Sequence, residues 1–303
     1  MLRQRLTFGT LMLAAFVGLF WLDARLESRL HGAAVTLLAA LICGAAAREL
    51  ARLLHGAGHV PAGGWAILCS AALPCVPWLH RQFSDGGPAD SAWMLGALVA
   101  AGFGAFAAVM MRRRVEGAAA SISATLLIIF YIGLCGSFVP RIRIEAATPW
   151  LIIYVILVIK CCDIGAYFTG LAIGRTRLIP WLSPKKSVEG LAGGMLASML
   201  VAAGLAGWFS SLDPQTAAAW AAWGVDVGGG AGHSSPWPAG VRAWVFGGAM
   251  ALLGQFGDLC ESLLKRDAGA KDSAAVVPAF GGLLDILDSI LICAPAAYWM
   301  LVT

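Results

Sequence analysis

Apolar residues fall into nine long runs, roughly 6–22, 32–48, 64–80, 92–110, 118–139, 148–173, 188–209, 243–260 and 282–302, separated by polar linkers. Each run is long enough, or nearly so, to cross about 30 Å of hydrocarbon as a helix. Lipid offers no partner to an unpaired backbone group, so such runs form helices. The pattern predicts an all-α, polytopic transmembrane protein of about nine spans. No internal repeat accompanies it. The expected organisation is a set of N-terminal transmembrane helices over 1–150, followed by a region over 151–303 that carries most of the unusual polar residues.

Composition agrees with this pattern. The 303 residues are 59% hydrophobic and 13% charged, and mean hydropathy is +0.79, outside the range of water-soluble domains. The net charge of +4 says little about partners; its distribution says more. With nine spans, the N-terminus and every second linker hold 14 of the 21 Lys and Arg residues. The opposite side holds 6, and Lys160 lies within a span. Positive charge favours the cytoplasmic side, so the N-terminus is expected in the cytoplasm. The linkers after runs six and eight then face the cytoplasm too, where nucleotides and magnesium are available.

Other features carry less chemistry. The eight cysteines show no CxxC pair or Cys/His metal spacing and read as free thiols in or beside apolar segments. The N-terminal run follows two arginines but no small-x-small cleavage site closes it, so it reads as an uncleaved span. His233 lies in a Gly/Ser/Pro-rich linker and reads as a loop residue.

The stretch from Glu261 to Asp288 places eight charged residues near the end of an otherwise apolar chain. Asp258, Glu261, Ser262 and Lys265 share one helical face, while Leu259, Cys260, Leu263 and Leu264 take the other. A helix end with its charged face in water would explain that much. It does not explain Asp285 and Asp288, spaced i, i+3 inside the next apolar run. A charge near the bilayer core costs about 2.5–3.5 kcal/mol on insertion scales, so two carboxylates there need a cation, basic partners or a water-filled cavity. Carboxylates without histidine or thiolate suit Mg²⁺, a hard cation that bridges to phosphate. Lys265, Arg266 and Lys271 lie between the acidic pairs, and Pro278, Gly281 and Gly282 interrupt the helix and allow close backbone approach.

A second polar block follows run six. Ser183-Pro184 is expected to turn the chain, Lys185 and Lys186 are basic, Ser187 offers a hydroxyl, and Glu189 and Gly190 open run seven. Lysines before a helix N-terminus make a ready anion site, although the P-loop spacing is absent. Within run six, Lys160 and Asp163 share one face. They form either an internal ion pair or a second cation or substrate-orienting site.

Together these blocks resemble the phosphatidate cytidylyltransferase (CDP-diacylglycerol synthase) family. Ser262, Lys265, Arg266, Lys271 and Asp272 match its S-x-x-K-R-x(4)-K-D run. Pro278, Gly281, Gly282, Asp285 and Asp288 follow its P-G-H-G-G and D-R-x-D blocks. Ser183, Pro184, Lys186, Ser187, Glu189 and Gly190 match S-P-x-K-[ST]-x-E-G, and Asp163, Ala166, Tyr167, Gly170 and Gly174 resemble D-x-x-A-Y-x-x-G-x-x-x-G. Glu49 sits where the family often has a glutamate after its second span. The resemblance is dense from about residue 155 onward. Three positions depart from it: Ala279 for Gly, Phe280 for His and Ile286 for Arg.

The resemblance implies transfer of a cytidylyl group from CTP to phosphatidic acid, giving CDP-diacylglycerol and pyrophosphate at the cytoplasmic face of a bacterial-type inner membrane. It implies Mg²⁺ held by Asp258, Asp285 and Asp288, with Glu261 as a further ligand. Lys186, Lys265, Arg266 and Lys271 would neutralise phosphates. Ser183, Ser187, Glu189, Ser262, Asp163, Tyr167, Gly281 and Gly282 would line the substrate site. Expected partners are CTP, phosphatidic acid and the bilayer, with no nucleic acid and a homodimer as the candidate assembly. The alternatives are a CTP-dependent lipid kinase of the polyprenol type and an ion-coupled transporter. A transporter is disfavoured because the polar groups cluster at one surface.

Overall fold

The structure is a computed structural model that describes residues 18–19, 22–23, 25, 30–84, 90–113, 115–146, 150–212, 241–270 and 282–302. Its helices are α1 (Ala33–Gly56), α2 (Gly63–Ala72), α3 (Val76–Phe83), α4 (Asp90–Met110), α5 (Ala118–Ile128), α6 (Cys135–Glu145), α7 (Trp150–Ile173), α8 (Val188–Leu212), α9 (Val241–Asp267) and α10 (Leu284–Leu301). A 3₁₀ turn over Leu73–Cys75 joins α2 to α3, and a π-helical segment over Ile129–Leu134 joins α5 to α6.

Among the described residues, six helical runs are long and apolar enough to cross a membrane: Ala33–Gly56, Ser91–Met110, Ala118–Glu145, Trp150–Ile173, Val188–Ala206 and Leu284–Leu301. These are the second, fourth, fifth, sixth, seventh and ninth apolar runs. Most of the first run lies outside the described residues. The third is helical but divided at Leu73–Cys75, where Pro74 and Pro77 remove backbone donors. The eighth is one helix of 27 residues, α9, made less apolar by Gln255, Asp258, Glu261 and four glycines.

The chain is not wholly helical. Arg177–Ile179 (β1) and Ser183–Ser187 (β2) pair antiparallel in the linker after α7. The turn lies before Ser183, where Ser183-Pro184 was expected to make it. The Leu182 N–H donates to the Ile179 carbonyl at 3.2 Å, which puts Pro180 at the second turn position. Proline's fixed φ suits that position.

The chain divides into two compact units, residues 1–144 with 263–287, and 145–262 with 288–303. The boundary falls within both α9 and α10. In the first unit, small and branched residues of α1 (Val35, Ala39, Ala46, Ala47, Leu50) are buried, as are Ala66, Leu73, Ile128 and Ile132. The Trp65 indole N–H donates to the Ala101 carbonyl at 2.9 Å, and Arg112 donates to the Val60 and Pro61 carbonyls at 2.7 and 2.6 Å. In the second unit α7 packs along α8. The Tyr154 hydroxyl donates to the Ala202 carbonyl at 2.9 Å, and its ring stacks on Phe246 with centroids 5.6 Å apart. Exposed side chains of these helices include Leu157, Phe168, Leu171, Leu196 and Leu200, as expected of surfaces facing lipid.

Candidate functional site

Two glycine-dependent contacts build the acidic part of the site within the second unit. A Cβ on Gly257 would lie 2.5 Å from the Asp288 carbonyl oxygen and 3.1 Å from Ser289 Cα. Only glycine lets the backbones of α9 and α10 approach this closely. The approach brings Asp258, Glu261 and Asp288 together, each offering a carboxylate oxygen within 4.8 Å of the others. Glu261 and Asp288 are buried, at 1% and 5% exposure. Asp288 Oδ1 accepts hydrogen bonds from the Ser289 N–H at 2.5 Å and the Ser289 hydroxyl at 3.1 Å.

Three carboxylates this close repel one another in a medium of low dielectric unless cations offset them. Lys186 pairs with Asp258 and supplies one positive charge. Lys160 lies within electrostatic reach of Asp288 and pairs with Asp163 at 3.2 Å. An all-oxygen carboxylate set fits a hard divalent cation.

Lys186 is positioned by the hairpin and the start of α8. Ser187 caps that helix: its buried Oγ accepts the Gly190 N–H at 3.1 Å. The Glu189 carboxylate accepts the Arg175 and Thr176 N–H groups, each at 3.1 Å, which ties the entry of the hairpin to its exit. Gly170, Gly174 and Gly190 surround Ser187 Oγ; a Cβ at these positions would lie 3.2, 2.8 and 2.9 Å from it. This contact explains why the D-x-x-A-Y-x-x-G-x-x-x-G block and the S-P-x-K-S-x-E-G block both need glycine. Sequence reading had no way to pair them.

A second cluster lies in the first unit. Lys265 Nζ donates to Asp285 Oδ1 at 2.8 Å, and the Gly282 N–H donates to Asp285 Oδ2 at 2.6 Å. The Leu283 and Leu284 N–H groups donate to Glu49 Oε1 and Oε2 at 3.0 and 2.9 Å. Asp285 therefore holds a lysine and a loop amide, one helical turn before Asp288 on the same helix.

The expected charged face of α9 exists, but its environment is inverted. Glu261 is buried and the Lys265 side chain is 13% exposed, whereas Leu263 is 49% exposed. The water-facing alternative therefore fails for this face. Ser262 and Ser183 are half-buried, Arg266 is exposed, and Tyr167 is exposed beside Phe168. Lys271 and Gly281, with Asp272 and Pro278 to Phe280, lie outside the described residues. All eight cysteines are free.

Comparison with known proteins adds to this geometry. A profile described as the cytidylyltransferase family matches residues 3–303. The chain is 34% identical over 210 residues to the phosphatidate cytidylyltransferase of Synechocystis sp., covering 60% of this chain and 63% of that protein. It is 33% identical over 172 residues to that of Bacillus subtilis, covering 56% and 55%. It is 30% identical over 283 residues to that of Mycobacterium bovis, covering 85% and 76%. The first two alignments span less than two thirds of those relatives' lengths.

Proposed function

Because the chain belongs to the cytidylyltransferase family, we propose that it transfers the cytidylyl group of CTP to phosphatidic acid, releasing pyrophosphate and forming CDP-diacylglycerol. The observation that carries this reading is the close group of Asp258, Glu261 and Asp288 with Lys186 paired to one of its members. Such a set suits a metal-bound triphosphate.

In this reading a phosphate oxygen of the lipid attacks the α-phosphorus of CTP and the α–β phosphoanhydride bond breaks. The attacking phosphate is already ionised, so no general base is needed. Asp258, Glu261 and Asp288 would hold Mg²⁺, which when bound would supply charge neutralisation on the triphosphate. Lys186, paired with Asp258 in the structure, would meet a phosphate oxygen of the triphosphate. Lys265, Arg266 and Lys271 neutralise the departing pyrophosphate, and Asp285 orients Lys265. Ser183, Ser187, Glu189 and Gly190 keep Lys186 in place. Asp163 with Lys160 is the candidate for a second cation. The diacyl tails stay in the bilayer beside the exposed apolar faces.

The catalytic region in this reading is 151–303. We take the chain to cross the membrane nine times, with its N-terminus and both polar linkers in the cytoplasm and the whole protein in a bacterial-type inner membrane. The charge bias of 14 against 6 supports that orientation.

The deciding experiment supplies phosphatidic acid, magnesium and CTP labelled at either the α or the γ position to purified protein. Label should reach the lipid from α-labelled CTP alone. Label from γ-labelled CTP alone would discard cytidylyl transfer in favour of a lipid kinase.

A further inference from the structure

The N-terminus of α10 is held by a residue more than 230 positions away in sequence. We infer that Glu49 is a positioning residue that seats the first turn of α10 and so keeps Asp285 against Lys265. This inference rests on the reading above for what Lys265 does, but its structural basis is independent of that reading.

The first N–H groups of any helix lack an intrahelical acceptor. Most helices satisfy one of them with a Ser, Thr, Asp or Asn at the N-cap. The residues before α10 are Gly282 and Leu283, which have no such side chain. Glu49 fills the role from α1, with one carboxylate oxygen on each of two successive amides, Leu283 at 3.0 Å and Leu284 at 2.9 Å. It does so at 4% exposure. A buried carboxylate needs strong partners, and the amides at a helix N-terminus provide both hydrogen bonds and a favourable dipole.

The next amide back, Gly282, donates to Asp285 Oδ2 at 2.6 Å, and Asp285 Oδ1 receives Lys265 at 2.8 Å. Hydrogen bonds at successive amides, joined by the backbone of residues 282–285, thus link Glu49 through the first turn of α10 to the Lys265 ammonium. It also means that the glycine-preceded amides of 282–284 serve carboxylates of the protein. They are not an anion hole for the triphosphate. Phosphate charge then falls to the lysines, and the placement of Lys265 becomes a determinant of turnover.

The test uses the full-length protein with Glu49→Gln and Glu49→Asp. Glutamine keeps the size but turns an NH₂ toward an N–H donor, so one of the two amides loses its acceptor. Hydrogen exchange in the segment containing Leu283 and Leu284 should accelerate. Label transfer from α-CTP should fall about 10–100-fold in kcat, with KM for the lipid within about twofold. Aspartate restores the charge and should recover part of both signals. Faster exchange with unchanged kcat would make Glu49 a structural cap and overturn the inference, and so would unchanged exchange. If Glu49→Gln does not accumulate folded, Glu49→Asp is combined with Lys265→Met. Loss no greater than in Lys265→Met alone supports the chain of contacts, and additive loss refutes it. A wild-type protein that transfers no α-label would remove the proposed reaction, while the exchange measurement would still report on the hold of Glu49.

Discussion

Arg143 and Asp23 form an ion pair of 2.7 Å with both side chains fully buried, whereas Lys186 and Asp258 pair with 18% and 34% of their side chains exposed. The first pair is closed to solvent. Asp23 Oδ1 also accepts the Ala34 N–H at 3.1 Å, so the carboxylate secures the start of α1 while holding the guanidinium. The second pair sits in surplus negative charge, because Glu261 and Asp288 lie beside Asp258. A sealed pair of matched charge has nothing to offer a ligand. In the proposed reading, a half-open lysine paired to one member of a three-carboxylate group would exchange that partner for a phosphate while the carboxylates take a cation. Charge balance and access together separate a structural pair from a chemical one, and the presence of a salt bridge alone does not.

The largest expected effect breaks the chemical side. Asp258→Asn and Asp288→Asn should each reduce magnesium-dependent label transfer by about 10²–10³-fold or more, with the protein still folded on extraction. Near-normal turnover in either variant would show that the cation is held elsewhere. Next comes the structural side. Arg143→Met leaves Asp23 as a buried, unpaired charge and should cost about 3–5 kcal/mol of stability. Thermal unfolding in detergent would measure this, while turnover per folded molecule stays at the wild-type value. Adding Asp23→Asn should restore much of the lost stability. A loss of turnover with unaltered unfolding would reverse the assignment of the two pairs.

What could be read from the chain was whatever repeats locally. Apolar length gave six of the spans, and i, i+3 spacing put Asp258 and Glu261 on one face of α9. The acidic group itself needed a tertiary contact. Spacing favoured Asp285 with Asp288, but the Gly257 approach brings Glu261 to Asp288, and Asp285 binds Lys265 in the other unit. The seat provided by Glu49 and the Asp23–Arg143 pair join residues more than 100 positions apart, for which one sequence holds no signal. The hairpin escaped because its strands are only three and five residues long and mostly half-buried or exposed, so no alternation of apolar and polar residues marks them.

The smallest effect sharpens the comparison from the apolar side. On α9 the usual relation of polarity to burial is reversed, with Glu261 1% exposed and Leu263 49% exposed two residues later. In a water-soluble protein a leucine of that exposure would sit on a hydrated surface. Here Leu263 follows the eighth apolar run and, in the proposed topology, lies at the membrane surface, where lipid, detergent or water can cover a single exposed leucine. Leu263→Ala therefore removes contacts that lipid or detergent can refill. It should change unfolding by less than about 0.5 kcal/mol and label transfer by less than about twofold. Leu263→Ser should behave the same way in detergent, since a hydroxyl on a helix can return to its own backbone carbonyl. If either change instead lowered turnover as far as Asp258→Asn, Leu263 would be packed against something essential, and its assignment to an unpacked surface would be wrong.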